Sequence, residues 1–278
     1  MRHLLTLIKA RITALVTLTA MAGYGLAAES WQAAPFWGVT FGVFFITAGA
    51  SAVNMYLERR TDALMARTRN RPLPLNALAP RTALALGASA SLIGLAILLP
   101  LGPWPAGIAA LSWVMYIVVY TPLKLRTSLN TVVGAIPGAL PPLIGWTAAG
   151  APLTMHAFIP FFLMFAWQVP HFLALAWMYR DDYEQGGLQM LTVEDREGGM
   201  VGRQALLYAI CLVPITAAPL LMAGASLAGT LMLVGLSFVF VGFAARFAIK
   251  RDRRSAASLF GVSLLYLPAA FGLLFLSY

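Results

Sequence analysis

The sequence predicts an all-α membrane protein: a bundle of nine transmembrane helices with its N-terminus cytoplasmic. Three observations predict it. The 278 residues are 60% hydrophobic and only 10% charged, with a mean hydropathy of +0.80, too little charge to cover a surface facing water. Apolar runs of about 20 residues, the length that crosses a bilayer as a helix, recur along the chain. All 19 Lys and Arg fall at the N-terminus or in alternate loops between those runs.

The runs lie at roughly 12–28, 34–57, 82–101, 104–121, 130–148, 155–178, 204–223, 226–245 and 257–277. Arg2, Lys9 and Arg11 precede or open the first, whose apolar stretch is long for a signal peptide and is expected to stay in the chain. Arg59, Arg60, Arg67, Arg69, Arg71 and Arg81 follow the second, and Lys124 and Arg126 follow the fourth. Arg180, Arg196 and Arg203 follow the sixth, and Arg246, Lys250, Arg251, Arg253 and Arg254 follow the eighth. The intervening loops, such as Leu101 to Pro105 and Met222 to Ala225, carry none. By the positive-inside rule the basic loops and the N-terminus are cytoplasmic and the C-terminus is external. The fifth run, with Pro137, Pro141 and Pro142, is expected to be irregular. No linker or low-complexity tract interrupts the chain, which reads as one intramembrane domain over 1–278.

Composition also removes several functions. The net charge of +9 reports topology, and no nucleic-acid binding is read from it. Cys211 is the only cysteine, so no disulfide or multi-thiolate metal site forms within one chain. Ion-coupled transporters usually carry Asp, Glu or His near mid-membrane, whereas here only His171 lies deep in a run. Polar chemistry gathers at the cytoplasmic ends, which suits one substrate from water and another from lipid.

Three constellations stand out. Asn54, Glu58 and Asp62 are spaced four and four, so they project from one helical face and offer oxygen donors of the kind Mg²⁺ takes. A solvated helix end paired to Arg59 or Arg60 is the plainer reading. Arg67, Arg69 and Arg71 follow closely, and guanidinium groups grip phosphate. After the sixth run, Asp181, Asp182 and Glu184 place more carboxylates on the same side, where two metal ions would bridge a diphosphate. Inside that run, Trp167, Gln168, Pro170 and His171 form the third; His171 is either a heme-iron ligand or a satisfied buried histidine.

These residues carry a resemblance to the UbiA superfamily of intramembrane prenyltransferases, and within it to the branch that farnesylates heme B. The resemblance covers most of the chain and is strongest in NMYLERRTDALMARTRNRPL (54–73), YTPLKLRTSLNTVVGAIPGALPPLIGW (120–146) and WQVPHFLALAWMYRDDYEQGGLQML (167–191). It implies transfer of farnesyl from farnesyl diphosphate to a heme B vinyl group with addition of water, giving heme O, at a cytoplasmic-facing site in a bacterial-type inner membrane. It implies Asn54, Glu58, Asp62 and Asp182 as catalytic residues, and the same four with Asp181 as ligands of Mg²⁺. Arg67, Arg71, Lys124 and Arg126 resemble diphosphate-binding positions, and His171, Trp167 and Gln168 a heme pocket. Tyr56, Tyr120 and Trp167 are candidates to shield an allylic cation. Two positions depart from the family pattern: Glu58 stands where many relatives have Asp, and Arg60 where some have another Asp. A related prenyltransferase acting on an aromatic quinone precursor shares the metal motifs, and a transporter is the reading from another class; labelled farnesyl diphosphate separates the two classes.

Overall fold

The computed structural model describes residues 2–221 and 225–277, so Met222 to Gly224 in the charge-free loop lie outside the described residues. Among the described residues there are nine helices long and apolar enough to cross a membrane, and no strand. They are α1 (Ala10–Ala27), α2 (Ala33–Leu64), α3 (Pro80–Leu101), α4 (Pro103–Leu123), α5 (Asn130–Ala148), α6 (Met155–Met178), α7 (Gly199–Leu221), α8 (Leu227–Lys250) and α9 (Arg253–Ser277). Every expected run is present. Alternation of basic loops with apolar runs is preserved, and the orientation it argues for remains an expectation.

Proline and glycine punctuate the spans as their chemistry requires. Pro80 and Pro103 open α3 and α4, where a missing N–H costs nothing, and Gly102 between them takes φ 122. Within α5 the helix breaks at Leu140, between Asn130–Ala139 and Pro141–Ala148. Pro141 has no N–H for the Pro137 carbonyl, and Ser112 Oγ of α4 donates to that oxygen at 3.0 Å instead.

Two apolar cores divide the bundle. One joins α1 to α5 around Tyr24, Val39, Leu98 and Trp146; the other joins α5 to α9 around Leu163, Leu212, Phe240 and Leu259. Lipid supplies no hydrophobic drive between helices, so close packing and hydrogen bonds hold them. At the α2–α3 crossing a Cβ on Gly49 would lie 2.3 Å from Ser91 Oγ, and one on Gly94 2.4 Å from Ile46 N. In the second core Thr216, Ser237 and Tyr266 link α7, α8 and α9 by hydroxyl contacts of 3.1 and 2.8 Å.

With 32 residues α2 is about 48 Å long, more than a hydrocarbon core of about 30 Å needs, and Glu58 and Asp62 lie on its last turns.

Candidate active site

Asn54, Glu58 and Asp62 do share one stripe of α2, and each meets a different basic side chain. Lys9 Nζ donates to Asn54 Oδ1 at 2.6 Å, and Lys124 Nζ to Glu58 Oε1 at 2.7 Å. Arg71 Nη1 reaches both Asp62 oxygens at 2.8 Å. Asn54 and Asp62 are buried, at 0% and 1% exposure, so the expected alternative of a solvated helix end does not hold. Arg59 instead lies over the ring of Tyr56, 4.4 Å from its centroid and away from the stripe.

The chain returns Arg71 to Asp62 by local turns. Thr68 N and Arg69 N donate to Met65 O, Arg71 N donates to Thr68 O, and Thr68 Oγ1 donates to Asp62 O at 2.9 Å. The wall opposite the stripe is α4. Its residues Met115–Tyr120 form one π-helical turn. Tyr116 and Tyr120 lie there with ring centroids 5.7 Å apart and planes tilted by 31°; Lys124 Nζ lies 4.4 Å from the Tyr120 centroid, and Tyr116 Oη is 3.5 Å from Lys9. Gly134 of α5 makes room, since a Cβ there would come 2.5 Å from the Tyr120 ring. Thr121 Oγ1 accepts from Asn54 Nδ2 at 3.0 Å and donates to Tyr116 O, which orients the amide with its oxygen toward Lys9.

Lys9 escaped the sequence reading, which counted it only as a topological charge. It sits between the short helix Arg2–Leu7 and α1 with φ 48, a left-handed residue that turns the chain and aims its side chain inward. Burial pulls its amine down to about 7 against the opposing pull of Glu58. Lys124 feels the same burial, but Glu58 and the two tyrosines outweigh it and hold its ammonium well above the usual range.

The second acidic segment approaches from α6. Arg180–Gln185 is a short helix in which Asp182 Oδ2 accepts from the Arg67 backbone N–H at 3.1 Å. The Arg67 guanidinium lies 5.4 and 5.8 Å from the rings of Tyr179 and Tyr183 and donates to Tyr183 Oη at 3.4 Å. Gln189 N donates to Lys124 O at 2.7 Å, and Asn130 Nδ2 to Gln189 O at 2.6 Å, so the loops after α2, α4 and α6 are tied together. Asp181 is not brought in: its side chain is 85% exposed beside Arg180. Glu184 pairs with Arg196 at the surface, and Arg126 is exposed. Among the described residues no three of His, Cys, Asp and Glu gather into one metal-binding group.

The third constellation divides as well. Trp167 and His171 stack at 4.8 Å and 24°, and His171 stacks on Phe260 of α9 at 4.8 Å and 27°. Gln168 turns the other way, buried, with Nε2 donating to Met164 O at 3.1 Å and Ala135 O of α5 at 3.4 Å. It closes the α5–α6 contact and does not face the His171 rings.

Nine helices among the described residues long and apolar enough to cross a membrane, with a stripe of polar side chains at the end of one of them, define a multi-pass helical membrane protein. A model of the UbiA prenyltransferase family matches residues 16–274, and the chain belongs to that family. It is 38% identical over 289 residues to a protoheme IX farnesyltransferase of Solibacter usitatus, covering 99% of this chain and 98% of the relative. To a protoheme IX farnesyltransferase of Geobacter sulfurreducens it is 43% identical over 192 residues, 69% of this chain and 71% of the relative. Among solved structures, digeranylgeranylglyceryl phosphate synthase superposes with a TM-score of 0.84 at 15% identity, over 99% of this chain and 97% of that one. A UbiA homologue of Archaeoglobus fulgidus bound to GPP and Mg²⁺ gives 0.72 at 14% identity, over 98% and 99%. At those identities the solved structures speak for the fold alone.

Proposed function

We propose that this chain transfers the farnesyl group of farnesyl diphosphate to a vinyl group of heme B, with addition of water, giving heme O. The observation that carries the reading is the 38% identity, over nearly the whole of both chains, to a relative named protoheme IX farnesyltransferase. The residues supply a workable division of labour. As the C1–O bond of the diphosphate breaks, negative charge builds on the leaving oxygens; Arg71 and Lys124 stand beside that position as fixed cations, and Lys9 as a hydrogen-bond donor that the diphosphate charge would hold protonated. Arg67 meets the diphosphate from the opposite loop. Mg²⁺ fits the oxygen-only donors Asn54, Glu58 and Asp62, with Asp182 across the cleft, and when bound would neutralise charge on the diphosphate. The A. fulgidus homologue bound to GPP and Mg²⁺ supports a divalent ion with a prenyl diphosphate in this fold.

The allylic carbon then bonds to the terminal vinyl carbon of heme. The cation left on the inner vinyl carbon takes the oxygen of water, and a proton leaves. Tyr116 and Tyr120 present ring faces beside the leaving group and shield the allylic cation. The acceptor lies against the Trp167–His171–Phe260 stack. Because basic residues alternate with apolar runs, the stripe faces the cytoplasm of a bacterial-type inner membrane, and residues 1–278 act as one domain.

Purified protein in lipid nanodiscs with heme B, farnesyl diphosphate and Mg²⁺ should yield a heme heavier by one farnesyl group and one hydroxyl on mass analysis. Unchanged heme, with labelled farnesyl passing to an aromatic acid, would refute the reading. Cysteine labelling at Gly102 and Gly150 tests the orientation, since both should react only from outside.

A further inference from the structure

The seam between α6 and α9 holds His171 more tightly than packing requires. Both faces of its imidazole are covered, by Trp167 and by Phe260, so the ring cannot rotate without displacing an aromatic neighbour. One edge is pinned: Nδ1 lies 2.6 Å from Ser263 Oγ, one α-helical turn beyond Phe260. Trp167 is anchored to the same residue, its Nε1 donating to Ser263 O at 2.8 Å. Ser263 is fully buried, and a hydroxyl in such surroundings keeps its hydrogen bonds.

The direction of the Nδ1 contact follows from counting protons. Ser263 Oγ has one, and it lies 2.5 Å from the Phe260 carbonyl oxygen. Two oxygens at that separation without a proton between them would set lone pair against lone pair. The hydroxyl proton therefore sits on the Phe260 side, and Oγ meets Nδ1 as an acceptor. That requires the proton of the neutral imidazole on Nδ1 and the lone pair on Nε2. Among the described residues Nε2 has no hydrogen-bond partner, and none of their buried side-chain N or O atoms lacks one, so Nε2 is not sealed inside the bundle.

We infer that Ser263 is a positioning residue that fixes this tautomer of His171, so that Nε2 is presented as the axial ligand for the iron of the acceptor heme. The iron-ligand half rests on the heme reading above; the tautomer half rests on geometry alone. Metal-bound histidines commonly donate their second ring N–H to a fixed acceptor that sets tautomer and orientation. Here the acceptor comes from the last helix, to which the sequence reading assigned no site residue. Trp167 and Phe260 complete a slot in which only the Nε2 edge is left to react.

The test separates the two halves. The chain has three histidines, so ¹⁵N-histidine NMR of the full-length protein is readable, with the His171 signals identified by their loss in His171→Ala. The wild type should show a protonated Nδ1 and a pyridine-like Nε2, and Ser263→Ala should move the population toward Nε2–H. In heme titrations followed by the Soret band, Ser263→Ala should weaken binding about 10-fold and alter the bound spectrum, with Ser263→Thr restoring both. An Nε2–H tautomer in the wild type overturns the inference even if Ser263→Ala fails to fold. Unchanged heme affinity and spectrum in Ser263→Ala, with both lost in His171→Ala, removes Ser263 and leaves His171 as a heme contact. Unchanged heme binding in His171→Ala removes the iron-ligand half, whatever the tautomer.

Discussion

Around Asn54, Glu58 and Asp62 each polar side chain is held by a basic side chain, whereas around His171 one polar ring is held by two aromatic faces and a single hydroxyl. The first region is built from charge, which acts over distance and tolerates a few tenths of an ångström. The second is built from shape and one directed hydrogen bond, which do not. The difference matches what each would handle: a multiply charged diphosphate at the membrane face, and a flat apolar ring system within the bundle. Substitutions should therefore act differently in kind, with charge removal lowering turnover and seam changes altering acceptor binding.

The largest effect should come from Asp62→Ala. Removing a buried carboxylate that holds Arg71 and offers a metal ligand should lower turnover by about 10²-fold or more, the scale for lost electrostatic stabilisation of a leaving group. Circular dichroism should show the helices intact; near-normal heme O formation would break the charge-built side of the comparison. Lys9→Met comes next, at about 10- to 100-fold, because a hydrogen bond to a charged group is worth roughly 1.5–3 kcal/mol and about 1.4 kcal/mol is tenfold. Its loss should fall on farnesyl diphosphate kinetics and leave heme affinity alone. An effect confined to heme titration would reverse the assignment.

Phe260→Leu keeps volume in the seam but removes one ring face from His171. A weakening of heme binding by several-fold is expected, from about 0.5–1.5 kcal/mol of ring contact, with KM for farnesyl diphosphate unchanged. The smallest effect is reserved for Asp181→Asn. The carboxylate is exposed beside Arg180, and surface pairs are worth about 0–1 kcal/mol, so turnover should stay within two-fold of wild type. A large loss there would bring Asp181 back into the ligand set.

The sequence made the spans legible because hydropathy and basic loops report the same boundaries independently. The α2 stripe was legible because four-residue spacing is itself a statement about one helical face. Asp181 and Asp182 were read as a pair, yet neighbours in a helix point about 100° apart, so only one of them faces Arg67. Gln168 is grouped with His171 by its place next to Trp167, yet its amide turns to Met164 O and Ala135 O. Lys9, Tyr116, Phe260 and Ser263 left no local signature. Each reaches its partner from a distant span, 45 residues for Lys9 to Asn54 and 92 for His171 to Ser263, and only packing supplies that information.

The π-helical turn of α4 has a consequence for length. Val118 and Val119 lie in it with their side chains exposed on the outside of the bundle, at 59% and 36%, and neither supplies a polar group to the site. Replacing either with another apolar residue leaves the path of the backbone alone. A π turn holds one residue more than the α turn it replaces, so deleting one of them would let it tighten to α-helical pitch with every later residue of the helix kept near its present direction. Thr121 would stay on Asn54 and Lys124 on Glu58, whereas the same deletion in an ordinary α-helical stretch would swing both by about 100°. At these two positions the protein reads neither residue identity nor residue count.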